Sequence, residues 1–244
     1  MPVNEEEKEM NEQMRSDYKK AMAFWDQALA SSPEDYESGI DPAEGWKKGC
    51  SETLLALLCE GVKGWDNVLD YGCGTGWASV LLVKNGARRV TAVDVAPNAI
   101  ASAGYYAKAF EVRENITFEA VTPEWLSAQD EDRYDHAISV NVLDVVPDEI
   151  AEGIIRGLSK VCKKGATLLI GLNPYLEGES LTKDGRVYTD HYLYIGDILR
   201  LSNHTDEEWT EMLSKCFKVE RLEYFKWDQE ARKARRLFYL TNKF

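Results

Sequence analysis

The sequence predicts an α/β fold built on a doubly wound, mostly parallel sheet and preceded by a helical N-terminal segment. From about residue 65 onward, short apolar runs typical of buried strands alternate with stretches of helical periodicity. The first two strands enclose a glycine-rich loop and a helix, and this order is typical of a right-handed βαβ unit. The length of 244 residues and the hydrophobic content of 44% suffice for one α/β domain with a sizeable core.

The first 64 residues precede the first strand, and we predict that they form a helical cap or lid. Residues 1–15 are charged and are expected to be loosely helical, and a helix with an apolar stripe should follow from about Ser16. The polar stretch 31–36 ends it. A second helix is predicted to begin at Asp41 and Pro42, an N-cap and first-turn proline, and to run to Gly61 with an interruption near Gly49.

The first strand, 67–70, leads into a loop in which three of five residues are glycine, at positions 72, 74 and 76. Glycines so close together lose backbone entropy on folding and pack nothing. They indicate positive φ angles or a ligand that approaches the main chain. A helix is predicted from Trp77, with Gly86 as its C-terminal cap.

The second strand, 89–94, ends in Asp94, and an acid at this place in a βαβ unit accepts hydrogen bonds from ribose hydroxyls. The spacing Gly-x-Gly-x-Gly differs from the dinucleotide pattern Gly-x-Gly-x-x-Gly, whose third glycine is replaced by Trp77. Asp70, two residues before the first glycine, disfavours a pyrophosphate and favours a cationic group such as an amino-acid ammonium. A dinucleotide-binding dehydrogenase therefore stays only as an alternative.

The run DYGCGTG at 70–76, followed by Asp94, resembles motif I and its acidic partner in the class I S-adenosylmethionine-dependent methyltransferases. The resemblance covers roughly residues 65–244 and implies a seven-stranded sheet of order 3-2-1-4-5-7-6 with an antiparallel last strand. It also implies methyl transfer from S-adenosylmethionine. The implied contacts are the ribose for Asp94 and the methionine part of the donor for Asp70, Gly72, Cys73, Gly74 and Gly76. Val95 is implied as a further contact of the donor.

The same resemblance assigns roles after strands three and four. Strand three is predicted at 116–120, and Glu119, Thr122 and Trp125 are expected to surround the adenine. Strand four, 134–140, is followed by Asn141 and Asp144, which should lie near the reacting centre. Relatives often carry a histidine where this chain has Val145, so the obvious general base is missing.

Later segments supply candidates for the acceptor side. After a helix at 148–160 and strand five at 166–172, residues 176–203 form an insertion where loops often determine specificity. Tyr175 and Tyr188 are candidate acceptor contacts, and His191 is a candidate base because histidine titrates near neutrality. A capping box at Thr205 opens another helix, and the last strands are expected at 216–222 and 237–240.

Three aromatic residues in the N-terminal segment, Trp25, Tyr36 and Trp46, are further candidates for the acceptor site. Helices before the first strand commonly cover the pocket in small-molecule members of the resembled family. Buried aromatic residues also pack simply as core, and this second reading stays open for each of the three.

The amino-acid composition limits the classes of partner that the protein is expected to bind. A net charge of −13 and a pI near 4.8 argue against nucleic acid and anionic membranes. Five scattered cysteines and three isolated histidines predict neither a disulfide framework nor a metal site. No signal peptide or membrane-spanning run is present, so a cytoplasmic location is expected. A small-molecule acceptor is favoured, and the alternatives are a protein or RNA methyltransferase and a non-catalytic S-adenosylmethionine-binding module.

Overall fold

A computed structural model describes residues 5–36, 40–231 and 234–244, and its centre is a seven-stranded sheet. The chain forms ten strands: β1 Asn67–Tyr71, β2 Arg89–Asp94, β3 Ile116–Ala120, β4 Tyr134–Val140, β5 Cys162–Leu172, β6 Arg186–Thr189, β7 Tyr192–Ile195, β8 Ile198–Ser202, β9 Phe217–Phe225 and β10 Arg235–Asn242. The order across the large sheet is β3-β2-β1-β4-β5-β10-β9. Only β10 runs antiparallel to the other strands of that sheet. The predicted topology is confirmed.

Seven α-helices accompany the strands in the described part of the chain. They are α1 Glu5–Ala28, α2 Glu52–Gly61, α3 Trp77–Lys84, α4 Pro97–Ala109, α5 Trp125–Ala128, α6 Asp148–Val161 and α7 Asp206–Ser214. Apolar residues of α2, α3 and α4 pack in one core cluster with the sheet, and those of α5, α6 and α7 pack in a second. The sheet is therefore covered on both faces, as parallel sheets require. No described helix is long and apolar enough to cross a bilayer.

The N-terminal helices differ from the predicted ones. Helix α1 begins at Glu5 instead of about Ser16, because the charged stretch consists largely of good helix formers. Helix α2 begins at Glu52, where the Ser51 hydroxyl accepts a hydrogen bond from the Leu54 amide. Asp41 does not start a helix. Its carboxylate accepts a hydrogen bond from the Ala43 amide at 2.9 Å in a local turn, which a short 3-10 helix, Gly45–Lys48, follows.

The insertion at 176–203 contains an antiparallel three-stranded sheet, β6-β7-β8, which the sequence did not predict. Its first turn places Asp190 at φ 45° and His191 at φ 61°. Two successive positive φ angles are typical of the tight turns that match strand twist. Neither residue is a glycine, so the usual hairpin signal is missing from the sequence.

Helix α1 is fastened to both this small sheet and the large domain. The Tyr194 hydroxyl on β7 donates a hydrogen bond to buried Asp17 at 3.0 Å. The Arg200 guanidinium on β8 lies 4.1 Å from the centre of the Phe24 ring. On the other side, Asp26 accepts a hydrogen bond from the Asn98 amide at the start of α4, at 2.8 Å. These contacts fix α1 across the carboxyl ends of the central strands.

Candidate active site

A cavity of about 970 Å³, its open mouth included, lies at the carboxyl ends of β1, β2 and β4 under helix α1. This is the edge where open parallel sheets bind ligands, next to the point where the strand order reverses. The wall residues come from four places in the chain. They are Tyr18, Met22, Trp25 and Leu29 of α1; Tyr71, Gly72, Cys73, Gly74, Thr75 and Trp77 around the glycine loop; Val93, Asp94, Val95 and Val121 after β2 and β3; and Val140, Asn141, Val142, Val145, Val146 and Ile154 beyond β4.

The glycine loop is held against the end of β2 by its own backbone. The amides of Gly72 and Cys73 both donate to the Val93 carbonyl, at 2.8 and 3.0 Å. Gly72 has φ 71°, and a Cβ atom there would lie 2.3 Å from a methyl group of Val142. Glycine is therefore required at this position by both backbone conformation and close packing.

Asp94 lies in the cavity wall and orders the loop next to it. Its carboxylate accepts hydrogen bonds from the amides of Gly74 and Ala96, each at 2.9 Å. Burial raises the pKa of this carboxyl, and the backbone donors partly oppose that shift. Each carboxylate oxygen keeps a further lone pair, so the group is able to accept hydroxyl donors from a ligand.

Asp70 and Gly76, two of the predicted donor contacts, lie outside the cavity wall. Asp70 is fully buried behind the loop and accepts a hydrogen bond from the Ser79 hydroxyl at 2.5 Å. Burial raises its pKa to about 7. Gly76 begins α3 at φ 81°, and its Cα packs so closely on α4 that a Cβ would lie 2.8 Å from Ala103. Both residues shape the loop from behind.

Asn141, at the end of β4, is placed in the cavity by an unusual backbone. It has φ 58°, which is sparsely populated for residues other than glycine and costs conformational energy. Its amide donates to the Gly171 carbonyl at 2.8 Å, which holds this geometry. The side-chain oxygen Oδ1 is buried and has no hydrogen-bond partner among the residues that the structure describes. A buried acceptor in a cavity wall calls for a donor on a ligand.

Asp144 does not reach the cavity, although Asn141 and Val145 on either side of it do. It is fully buried and accepts a hydrogen bond from the Asn173 amide at 2.5 Å. Burial raises its pKa to about 6, while the backbone donor and Arg236 act in the opposite direction. This carboxyl therefore joins the segments after β4 and β5 and does not face a reacting group.

Helix α1 contributes four cavity residues at helical spacing: Tyr18, Met22, Trp25 and Leu29. All four belong to the apolar stripe that the sequence shows, so the signal was present. Only Trp25 was predicted to line the site, because the stripe alone does not reveal what it covers. The Trp25 indole nitrogen is buried and makes no hydrogen bond within the described part of the chain.

The three residues expected around the adenine are not brought to the cavity. Glu119 and Thr122 are exposed at the end of β3, and Val121 between them is the residue that lines the wall. The Trp125 side chain is in the core cluster formed with α6 and α7. It begins the one-turn helix α5, which packs against α6, so this tryptophan is a core residue and does not border the cavity.

Four of the predicted acceptor contacts also lie elsewhere. The Tyr36 hydroxyl pairs with Ser31 at 3.0 Å, and the Trp46 indole donates to the Ala43 carbonyl at 2.9 Å. Tyr175 and Tyr188 are 38% and 37% exposed. None of them lines the cavity, so among the five aromatic candidates only Trp25 does.

His191, the candidate base, is outside the cavity wall as well. Its Nε2 atom lies 2.9 Å from Asp148 Oδ2, and the Nε2 atom of His204 lies 2.9 Å from the same oxygen. The sequence predicted no metal site because the three histidines are isolated from one another along the chain. The turn between β6 and β7 brings His191 to two residues that are distant in sequence.

The ionisable side chains of the cavity wall favour their protonated forms. Burial is the main cause in each case: it raises the pKa of Tyr18 to about 12 and holds the pKa values of the Tyr71 hydroxyl and the Cys73 thiol well above their usual values. Asp94 is the remaining acid in the wall, and each of its two carboxylate oxygens already accepts a hydrogen bond from a backbone amide. The wall is thus suited to positioning a ligand and offers no strong base.

Comparisons with known proteins agree with this geometry. Residues 68–165 match the family model described as a methyltransferase domain. A ribosomal protein L11 methyltransferase of Geobacter metallireducens is 30% identical over 190 residues, 76% of this chain and 56% of that protein. A chloroplastic magnesium protoporphyrin IX methyltransferase of Arabidopsis thaliana is 34% identical over 125 residues, 51% of this chain and 38% of that protein.

A similar fold occurs in the N-methyltransferase NodS of Bradyrhizobium japonicum WM9, solved in complex with S-adenosyl-L-homocysteine. It superimposes with a TM-score of 0.62 at 16% identity, over 91% of this chain and 98% of that one. The chain spans about half the length, or less, of the curated relatives described above (56% and 38%). Residues 68–165 therefore belong to the methyltransferase-domain family, and the sheet order and the glycine loop beside Asp94 agree with the arrangement that the resemblance to class I S-adenosylmethionine-dependent methyltransferases implies.

Proposed function

We propose that the protein transfers a methyl group from S-adenosylmethionine to a small-molecule acceptor by in-line displacement. The observation that carries this proposal is one cavity that joins the glycine loop and Asp94 to an apolar wall and is covered by α1. The first part suits a nucleoside with an amino-acid tail, and the second leaves room for an acceptor.

The donor is proposed to lie along the loop with its ribose hydroxyls on Asp94. Val95 and the backbone of Gly72, Cys73 and Gly74 then border it. Asn141 Oδ1, buried and unpaired, is the proposed acceptor for a polar hydrogen near the reacting centre. In this arrangement residues 65–244 form the donor-binding domain, and α1, within the N-terminal segment 1–64, covers its cavity.

A strong base is not needed for the proposed reaction. The sulfonium of the donor carries a good leaving group, so alignment of the two reactants and exclusion of water supply most of the rate. The cavity offers these conditions: its wall is largely apolar, and the Tyr18 and Cys73 side chains favour their neutral forms. We therefore propose that the protein accelerates the reaction by aligning the donor with the acceptor and excluding water.

A small acceptor is favoured over a protein or RNA because α1 closes the cavity from above and the chain carries a net charge of −13. Backbone phosphates would be repelled by such a charge. The second candidate is a protein acceptor, which the Geobacter relative named for ribosomal protein L11 favours. The relative named for magnesium protoporphyrin IX favours a small molecule.

The test uses S-adenosylmethionine with a labelled methyl group. The purified chain is incubated separately with a small-molecule extract and with purified ribosomal protein L11. We expect label in the small-molecule fraction only, and none with an Asp94→Asn variant. Label on L11 alone would establish the protein alternative. A chain that binds S-adenosylhomocysteine but labels neither pool would contradict the proposed reaction.

A further inference from the structure

Two histidines and a carboxylate meet on the side of the fold where the small sheet joins the large domain. Asp148 is the first residue of α6, His191 lies in the turn between β6 and β7, and His204 precedes α7. One ligand atom from each of the three lies within 4.8 Å of the others. The side chains of His191 and Asp148 are 36% and 27% exposed, so the cluster lies at the surface, although the His191 Nε2 atom itself is buried.

The two oxygens of Asp148 have different partners. Oδ1 accepts a hydrogen bond from the Ser202 hydroxyl at 2.5 Å. Oδ2 faces the Nε2 atoms of both histidines at 2.9 Å. The imidazole rings are 4.4 Å apart and tilted by 32°, so both present the same ring edge to one oxygen.

Hydrogen bonds alone do not account for this arrangement. His204 Nε2 is hydrogen-bonded to Asp148, but the N–H direction of His191 Nε2 misses the oxygen. That buried nitrogen has no hydrogen-bond partner among the described residues, in spite of the short distance. Its lone pair is therefore available to an ion that the Asp148 carboxylate also binds.

We propose that Asp148, His191 and His204 bind a divalent transition-metal ion, zinc in the first instance. Imidazole nitrogens with one carboxylate oxygen form a ligand set that zinc accepts, with a further position open to water. Two ligands bound to zinc at about 2.0–2.1 Å lie about 3.3 Å apart in tetrahedral geometry. The observed separations of 2.9 Å are therefore within a few tenths of an ångström of that arrangement.

The surroundings of His204 support the proposal. Its other ring nitrogen, Nδ1, lies 3.5 Å from Glu208 Oε2. A carboxylate that accepts a hydrogen bond from the second nitrogen of a ligating histidine fixes the ring and makes it a better ligand. Among the described residues His204 Nδ1 has no hydrogen-bond partner, and Glu208 is the carboxylate placed to become one. Glu208 is held in place because the same oxygen accepts a hydrogen bond from the Thr205 amide at 2.7 Å.

A metal ion here would join the small sheet to the N-terminal ends of α6 and α7. The small sheet in turn holds α1 through the hydrogen bond between Tyr194 and Asp17. Binding that occurs only in the folded state stabilises that state by mass action. The proposed ion therefore strengthens the attachment of the cavity cover without touching the cavity wall.

The test uses the full chain without a polyhistidine tag, first stripped of metal by a chelator. Zinc is titrated by calorimetry, and cobalt is used as a spectroscopic probe whose visible absorption reports its ligands. We expect one equivalent to bind and to raise the melting temperature. His191→Ala, at the most exposed of the three ligands, and Asp148→Asn should abolish saturable binding.

Two further variants separate metal binding from a loss of structure. Glu208→Gln keeps a side-chain oxygen for the cap and should weaken zinc binding by about 10–100-fold. His136→Gln removes the remaining histidine, which stacks on Trp65 at 4.6 Å, and should bind zinc like the parent chain. Circular dichroism checks the fold of each variant. A stripped parent chain that takes up no zinc, or His191→Ala and Asp148→Asn variants that each bind as much zinc as the parent, would overturn the proposal.

Discussion

At the scale of single residues, the carboxylate of Asp94 is the most informative group in the cavity. It accepts hydrogen bonds from the amides of Gly74 and Ala96 and still faces the cavity. One side chain therefore shapes the loop and presents acceptors to a ligand. This combination explains why an acid at the end of the second strand was informative before the fold was known.

Asp94→Asn should weaken binding of S-adenosylhomocysteine by about 10–100-fold. A hydrogen bond to a charged group contributes about 1.5–3 kcal/mol, and each 1.4 kcal/mol is a factor of ten. The dissociation constant is measured by calorimetric titration. Asp66→Asn is the matched control. Asp66 precedes β1 and pairs with Arg88, which precedes β2, so this pair lies at the end of the strands opposite to the cavity. Equal affinity in the Asp94 variant and the parent would exclude the proposed ribose contact.

Gly72→Ala should destabilise the chain more than Gly64→Ala. Both glycines have positive φ, 71° and 82°, so each substitution costs about 1–2 kcal/mol in backbone strain. Only at Gly72 would the new Cβ meet a neighbour, Val142, at 2.3 Å, and such overpacking costs about 1–3 kcal/mol more. Urea unfolding measures both variants. Equal losses of unfolding free energy would show that the Val142 side chain moves away from the new Cβ at no cost in free energy.

Asp70 should make stability depend on pH. Burial raises its folded-state pKa to about 7, above an unfolded value of about 3.9. The folded state therefore keeps its proton more tightly, and this stabilising contribution is lost as the pH rises from about 4 through about 7. In Asp70→Asn the side chain at this position is neutral at every pH. The melting temperature of the variant, relative to that of the parent, should therefore rise as the pH increases over this range. A difference that stays constant from pH 5 to pH 8 would contradict the assignment.

At the scale of elements, local patterns predicted the βαβ core well. Strands β2, β3 and β4 were predicted with the boundaries that the structure shows, because each is a short apolar run between turn residues. The small sheet and the role of α1 were not predicted, because they depend on distant partners. Asp17 and Tyr194, for example, are 177 residues apart in the chain.

The candidate site was predicted unevenly for the same reason. Residues in or next to a motif, such as Gly72, Asp94 and Asn141, lie in the cavity wall. Aromatic residues chosen by position, such as Trp46 and Trp125, lie elsewhere because an aromatic side chain packs equally well in a core. The cluster around Asp148 was invisible, since His204 lies 56 residues away in sequence.

Helix α1 should depend on its hydrogen bond to the small sheet. Tyr194→Phe removes a donor to buried Asp17, and an unsatisfied buried group costs about 1–3 kcal/mol. Amide hydrogen exchange in α1 should become faster, and S-adenosylhomocysteine should bind more weakly. Tyr188→Phe, at an exposed ring on β6, is the control and should change neither. Unchanged exchange in the Tyr194 variant would show that other contacts hold the helix.

At the scale of the whole molecule, the sheet and its helices bring the glycine loop, Asp94, Asn141 and α1 to one edge. The first three lie within residues 68–165, which match the methyltransferase-domain model. The apolar face of α1 forms the remaining side of the cavity. A net charge of −13 surrounds this site and disfavours nucleic acid as a partner. This arrangement supports the proposal that the cavity holds a nucleoside-type donor beside an apolar wall.

The central claim is that this cavity binds the methyl donor, and calorimetric titration with S-adenosylhomocysteine tests it most directly, with NAD as the parallel ligand. We expect the parent chain to bind one equivalent of S-adenosylhomocysteine and no NAD. In Asp94→Asn the binding of S-adenosylhomocysteine should be lost or strongly weakened. Binding of NAD alone would return the glycine loop to the dinucleotide class. A folded chain that binds neither ligand would contradict the donor site altogether.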